Sequence, residues 1–242
     1  MQLVDDVKAL LEADPQAKAI LDLGPFSDFP ALAGAVFRHL TGNAQIGKTV
    51  ADTYRGDPVL ADLSVHDIAE AARRNVEPGG AAATCLFARG AQAIMAHRVA
   101  HKVWTDGDTT RARAVSAICG RALDTDIHPA ARIGAGLWLD HGLGFVAGET
   151  SVIEEDVSIW HNVTLGSTLS KSGPKRHPHV KRGAVIGAGA ILLGGITIGA
   201  AANIGAGAIV LEDVPEGTLI AGQKAMMRGT ARVRFTPAGS AP

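Results

Sequence analysis

The stretch VKRGAVIGAGAILLGGITIGAAANIGAGAIV, residues 180–210, returns to a large aliphatic side chain every six positions. These positions are Val180, Ile186, Leu192, Ile198, Ile204 and Val210, with mostly Gly and Ala between them. Upstream, the same period runs in another phase through Ile127, Ile133, Leu139, Phe145, Ser151, Val157 and Val163. Self-similarity at a fixed period outranks local propensity in assigning a fold. The physical reading is a triangular coil with one hexapeptide per face and three faces per turn. Each periodic residue points inward and stacks on its counterpart roughly 18 residues away, so stability accumulates turn by turn. Small residues then occupy the tight corners, where a bulky side chain is costly. A disordered Gly/Ala-rich segment would leave thirteen in-phase positions unexplained.

Between the two phases lies TLGSTLSKSGPKRHPH, which is polar, basic and punctuated by proline. It reads as a loop extruded from the coil over 166–179, where a functional role suits it better than a structural one. With Lys171, Lys175, Arg176, His177, His179, Lys181 and Arg182, it is the one local basic patch of the chain. Upstream of the repeat the rhythm is helical. Val4, Leu10, Leu11, Ile20 and Leu21 recur at helix-like spacing, and DLSVHDIAEAARRN begins with capping-type residues. Further helices are predicted from Thr84 to Trp104 and from Thr110 to about Leu123, with GNAQIGK, YRGDP and VEPGG as loops. The resulting expectation is an α+β chain. It has a helical domain over 1–123, a parallel β-helix of hexapeptide repeats over 124–213, and a tail over 214–242.

Bulk composition narrows the function classes. Of 242 residues, 29 are Gly and only 4% are aromatic, which disfavours a conventional sandwich core. A net charge of −1 gives no global field for nucleic acid or an anionic membrane surface. Cys85 and Cys119 lack CxxC spacing and read as buried thiols. The amino-terminal stretch carries acids and no long apolar run, so neither a signal peptide nor a membrane span is predicted. The expectation is a soluble, cytoplasmic protein.

Five histidines, His128, His141, His161, His177 and His179, crowd the repeat. A zinc site wants a close pair of ligands and a third a coil or two away, and the gaps here match that poorly, so no metal is expected. For His128, His161 and His179 a structural role at corners or subunit interfaces is expected. His141, in LDHGLG beside Asp140, is the candidate general base. Asp126 lies fifteen residues earlier, and with a coil of about 18 residues its counterpart is Gly144, so the two side chains can meet near one corner. A carboxylate on one imidazole nitrogen fixes the tautomer and frees the other to take a proton at neutral pH.

The ordered series DIHPAARIGAGLWLDHGLGFVAGETSVIEEDVSI, VTLGS, RHP and VIGAGAILLGGITIG resembles the serine O-acetyltransferases. FARGAQAIMAHRVAHKVW in the helical half is similar too, and the likeness spans roughly residues 60 to 225. The resemblance implies a left-handed β-helix, acetyl-CoA as co-substrate, and acetylation of the serine hydroxyl on the route to cysteine. It implies His141 as base with Asp126 as its partner carboxylate, Asp140 toward the substrate's amino group, and Arg176 with His177 on its carboxylate. Gly166, Ser167, Ala188 and Ala206 match positions bordering the pantetheine groove between subunits. Lys171 and Lys175 are candidates for the CoA phosphates, and Glu149 lies in the family's GET turn. A trimer, or a pair of trimers, follows from the same resemblance.

Some positions depart from the pattern. Leu143 replaces the usual Thr of the DHxTG turn, LGSTLSK replaces LGGTGK, and GQKAM (222–226) replaces a GVPAR-like motif. Where the family holds the amino group with the Asp of an RDP motif, RRNVEPGG offers Asn75 or Glu77. The chain ends RFTPAGSAP without a terminal isoleucine, so insertion into cysteine synthase is not expected. Three other readings stay open at this point: transfer to another hydroxy- or amino-bearing amino acid, a non-catalytic scaffold paralogue, and, as the weakest, a zinc-dependent hydratase.

Overall fold

The computed structural model describes residues 2–168, 173–227 and 229–230. Among the described residues, eight α-helices precede fourteen short strands. The helices are α1 (Gln2–Ala13), α2 (Pro15–Leu21), α3 (Phe29–Thr41), α4 (Ala44–Gly56), α5 (Pro58–Asn75), α6 (Gly80–Phe87), α7 (Arg89–Thr105) and α8 (Thr109–Leu123). None of them is long and apolar enough to cross a membrane. Cys85 and Cys119 are buried free thiols.

Some helix expectations need correction. YRGDP breaks only at Asp57, with residues 54–56 inside α4 and Pro58 opening α5. GNAQIGK is largely helical: Asn43 caps α4 by accepting from the Gln45 and Ile46 N–H groups, and Gly47 lies inside the helix. That glycine serves packing, since a Cβ on it would sit 2.6 Å from the Gly34 carbonyl of α3. The stretch from Thr84 to Trp104 is two helices, broken at the extended Ala88. Gln92 donates to the Cys85 and Leu86 carbonyls left free at the break.

The strands form three parallel sheets, one per face of a triangular prism. The first face stacks β1 (Thr125–Ile127), β4 (Phe145–Ala147), β7 (Thr164–Gly166), β10 (Ile191–Leu193) and β13 (Ile209–Val210). The second stacks β2 (Arg132–Ile133), β5 (Val152–Ile153), β8 (His179–Val180) and β11 (Thr197–Ile198). The third stacks β3 (Trp138–Leu139), β6 (Ser158–Ile159), β9 (Val185–Ile186), β12 (Asn203–Ile204) and β14 (Leu219–Ile220). β14 pairs with β12, so the coil continues beyond the boundary expected at 213.

Inward stacking follows the register. Ile127, Ala147, Leu165, Leu192 and Val210 form one buried column, and Ile133, Ile153, Val180 and Ile198 another. Phe145, Ser151, Val157 and Val163 are also buried, but they fall two places before their strands' stacking residues. The first turn is two residues longer than an 18-residue coil: Asp126 pairs with Val146, not Gly144. The extra length is in the corner after β3, where His141, Gly142 and Gly144 all take positive φ (60°, 76° and 65°).

The helical half is clamped onto this first turn. Arg98 of α7 donates to the Ile133 and Gly134 carbonyls and pairs with Asp67 of α5 at 3.0 Å. The second Asp67 oxygen accepts from the Gly136 N–H at 2.7 Å. Both side chains of this pair are buried, and each charge is fully engaged.

Candidate active site

The candidate residues sort onto two edges of the prism. The first edge begins at the long corner after β3. The start of α7 packs directly on it: a Cβ on Gly90 would lie 1.7 Å from the Leu139 carbonyl, and one on Gly142 would lie 3.0 Å from the Gly90 Cα. Two glycines therefore let helix and corner touch backbone to backbone. The gap beside them is a cleft of about 360 Å³ lined by Asn75, Glu77, Arg89, Asp140, His141 and Leu143, among others. His141 is exposed to it, with Nε2 at 3.5 Å from Asp140 Oδ2. Asn75 donates to Glu77 at 2.9 Å, which ties both substitutes for the family aspartate into one group.

The same edge continues turn by turn. The His161 ring stands 5.6 Å from that of His141, nearly edge to face. The Gly189 N–H donates to the His161 carbonyl, and the Gly207 N–H to that of Ala188, both at 2.9 Å. His141, His161, Ala188 and Ala206 thus form a row, two imidazoles followed by two small corners.

The second edge lies across the first face, and here the GET turn (148–150) cradles the RHP motif (176–178). The Thr150 hydroxyl accepts from the Arg176 and His177 N–H groups at 3.1 and 3.0 Å. The Thr150 N–H donates to His177 Nδ1 at 3.2 Å, which leaves the ring proton on Nε2. The Nε2 end of the imidazole lies against Gly148, where a Cβ would be 1.9 Å from Nε2. Glu149 accepts from the Arg176 guanidinium, and that hydrogen bond holds its carboxyl below the usual range. Burial, reinforced by Arg176, holds His177 below an ordinary histidine pKa, so it is neutral at pH 7. Gly166 and Ser167, at the end of β7, belong to this edge: the Gly194 N–H donates to the Gly166 carbonyl at 3.0 Å.

Asp126 stands on the first face between the two edges. It is exposed on β1 and lines a separate cleft with α8. His128, held low by burial, has Glu149, Asp126 and Arg176 among the charges acting on it. No hydrogen bond or ion pair links Asp126 to His141 within the chain, so the contact anticipated from an 18-residue coil is not formed. Two strands of the first face present exposed isoleucines between the edges, Ile191 and Ile209, the latter 66% exposed.

His179 pairs with Glu154 of the second face at 2.9 Å and takes no part in either group. Lys175 is described, close to Thr197, while Lys171 lies outside the described residues. Among the described residues no cluster of three or more His, Cys, Asp or Glu could hold a metal ion. Sequence reading overlooked Gly90, Gly148 and Thr150 as supports. It also separated His161 from His141, although a turn of the observed length sets the one over the other.

No family model matches the chain. It is 41% identical over 184 residues to the serine acetyltransferase of Escherichia coli K12, which covers 76% of this chain and 67% of that one. The fold superposes on a Neisseria gonorrhoeae serine acetyltransferase in complex with serine with a TM-score of 0.80 and 33% identity, covering 93% of this chain and 95% of that one. Against a Brucella abortus serine acetyltransferase in complex with coenzyme A the TM-score is 0.79 at 33% identity, covering 94% and 93%.

Proposed function

The chain belongs to the serine acetyltransferase family, and on that premise we propose that its two edges carry the family's reaction between them. It is an acyltransferase that moves the acetyl group of acetyl-CoA onto the L-serine hydroxyl, forming O-acetylserine for cysteine biosynthesis in the cytoplasm. His141 takes the hydroxyl proton as the oxygen attacks the thioester carbon. The tetrahedral intermediate collapses, the C–S bond breaks, and the CoA thiolate leaves with the proton held by His141. No covalent enzyme intermediate is needed. Asp140 and Glu77, the latter held by Asn75, meet the substrate's ammonium. Arg176 and the Nε2–H of His177 meet its carboxylate, a charge-assisted pairing suited to a guanidinium.

One observation carries this reading: the groups for the two ends of serine stand on different edges of a single prism. We infer that a neighbouring copy brings its Asp126, Arg176, His177, Gly166 and Ser167 against His141, Ala188 and Ala206. Asp126 of that copy then orients the His141 imidazole, and pantetheine lies along the small corners. Exposed Ile191 and Ile209 support the face between the edges as the surface covered in a trimer, or in a pair of trimers.

Complementation tests it. His141→Ala and Arg176→Ala chains are each expected to be inactive in an acetyl-CoA consumption assay with L-serine. Unfolded together and refolded as mixed oligomers, they regain activity because some interfaces unite two intact edges. A fully active His141→Ala chain would overturn the base, and mixed oligomers without regained activity would overturn the shared site. Turnover of homoserine or threonine in preference to serine would overturn the acceptor.

A further inference from the structure

His161 is not used by the mechanism above, yet it stands next to the base on the edge that leads to the small corners. Its backbone is pinned on three sides. Trp160 N–H donates to the Ile186 carbonyl at 3.0 Å, Asn162 N–H to that of Leu143 at 2.6 Å, and the His161 carbonyl accepts from Gly189. Trp160 packs edge to face on Trp138 at 5.0 Å, which fixes the approach of the chain to this corner. Within the ring, Nδ1 is buried and has no hydrogen-bond partner, whereas Nε2 is not among the buried unpartnered atoms. A buried N–H without an acceptor is rarer and costlier than a buried lone pair. The nitrogen placed to carry a donating proton is therefore Nε2, the open one.

The geometry points to His161 as a further active-site residue, whose Nε2–H donates to the thioester carbonyl oxygen of acetyl-CoA as that oxygen gains charge. The inference rests on the proposed use of this edge: a cofactor thread along Ala206 and Ala188 reaches His161 just before it reaches His141. In the step served, the serine oxygen bonds to the carbonyl carbon and the C=O π pair moves onto oxygen. The His161 hydrogen bond strengthens there, and collapse returns the pair as the C–S bond breaks. A rigid, preformed donor is the kind that accelerates acyl transfer, typically by about 100-fold or more.

Three substitutions in the full-length oligomer test this. His161→Phe keeps a flat ring without a donor, His161→Gln carries an amide nitrogen near the place of Nε2, and His161→Asn near that of Nδ1. The expected result is a kcat lower by roughly 100-fold for His161→Phe, with KM for serine within about twofold and an unchanged melting temperature. Gln restores kcat to within about tenfold, and Asn does not. Wild-type kcat in His161→Phe, or equal rescue by Gln and Asn, overturns the donor role. His141→Ala, assayed in parallel, separates the two proposals: inactive His141→Ala beside active His161→Phe defeats only this inference, and active His141→Ala defeats the site itself.

Discussion

At Gly148 the backbone and the His177 ring share a space that any larger residue would claim, with a Cβ falling 1.9 Å from Nε2. His177 cannot simply rotate away, because Thr150 holds its Nδ1 and its backbone N–H. Gly148→Ala is therefore expected to push the imidazole off the edge and leave the fold intact. A lost hydrogen bond to a charged group is worth about 1.5–3 kcal/mol, so KM for serine should rise roughly 10- to 100-fold, with kcat affected less. Steady-state kinetics at fixed acetyl-CoA read this out, and an unchanged KM would show that His177 does not grip the substrate. Glu149 is occupied with Arg176, so in the proposed site the GET turn holds the carboxylate-binding pair in place and leaves the proton transfer to the other edge.

Helix α5 ends in an unusual way. Its cap, Val76, takes φ 51° and ψ 45°, a left-handed conformation disfavoured for a β-branched residue, and its side chain is 83% exposed. Strain of this kind costs on the order of 1–3 kcal/mol and persists only where its surroundings enforce it. The flanking residues are Asn75 and Glu77, joined to each other on the wall of the His141 cleft. Val76→Asn keeps the left-handed cap with a residue that tolerates it and loses no buried surface. It should raise stability by about 1 kcal/mol, read as a higher melting temperature, while KM for serine stays within twofold. A lower melting temperature would show that the valine side chain itself is needed. The two-residue gain in the corner after β3 belongs to the same scale: it carries His141 out of the regular coil and shifts the hexapeptides from Ala147 to Leu165 by two.

For the whole molecule, the weak point of the joint between helices and coil is His97. It is fully buried on α7, and neither ring nitrogen meets a partner at hydrogen-bond geometry. Burial, then the charges of Arg98 and His101, hold it well below the ordinary histidine value of 6.5, against the Ala131 backbone. A folded state that refuses a proton the unfolded chain accepts loses stability as pH falls below about 6.5, by up to about 1.4 kcal/mol per pH unit. Stability is full above that value. His97→Met removes the titrating group and fills the space, so the fall in melting temperature between pH 7 and pH 5 should shrink. An equal fall in wild type and variant would clear His97. His128 and His177 are shifted in the same direction and account for part of what remains.

The sequence alone determined the architecture, because a six-residue period with glycine corners admits few packings, and Val180 to Val210 keep that period unbroken. It also singled out the candidate residues, since LDH, GET and RHP occur in a fixed order whatever the coil does with them. The grouping of those residues was decided by tertiary structure. A corner two residues longer than the repeat is invisible to a count of aliphatics, as Phe145 and Val157 are buried in either phase. Only the pairing of Asp126 with Val146 reveals it. That register leaves Asp126 without a contact to His141 in its own chain, and sets His161 over His141. Side chains meet through space across turns, and the distances between turns are written in hydrogen-bond register, not in spacing along the chain.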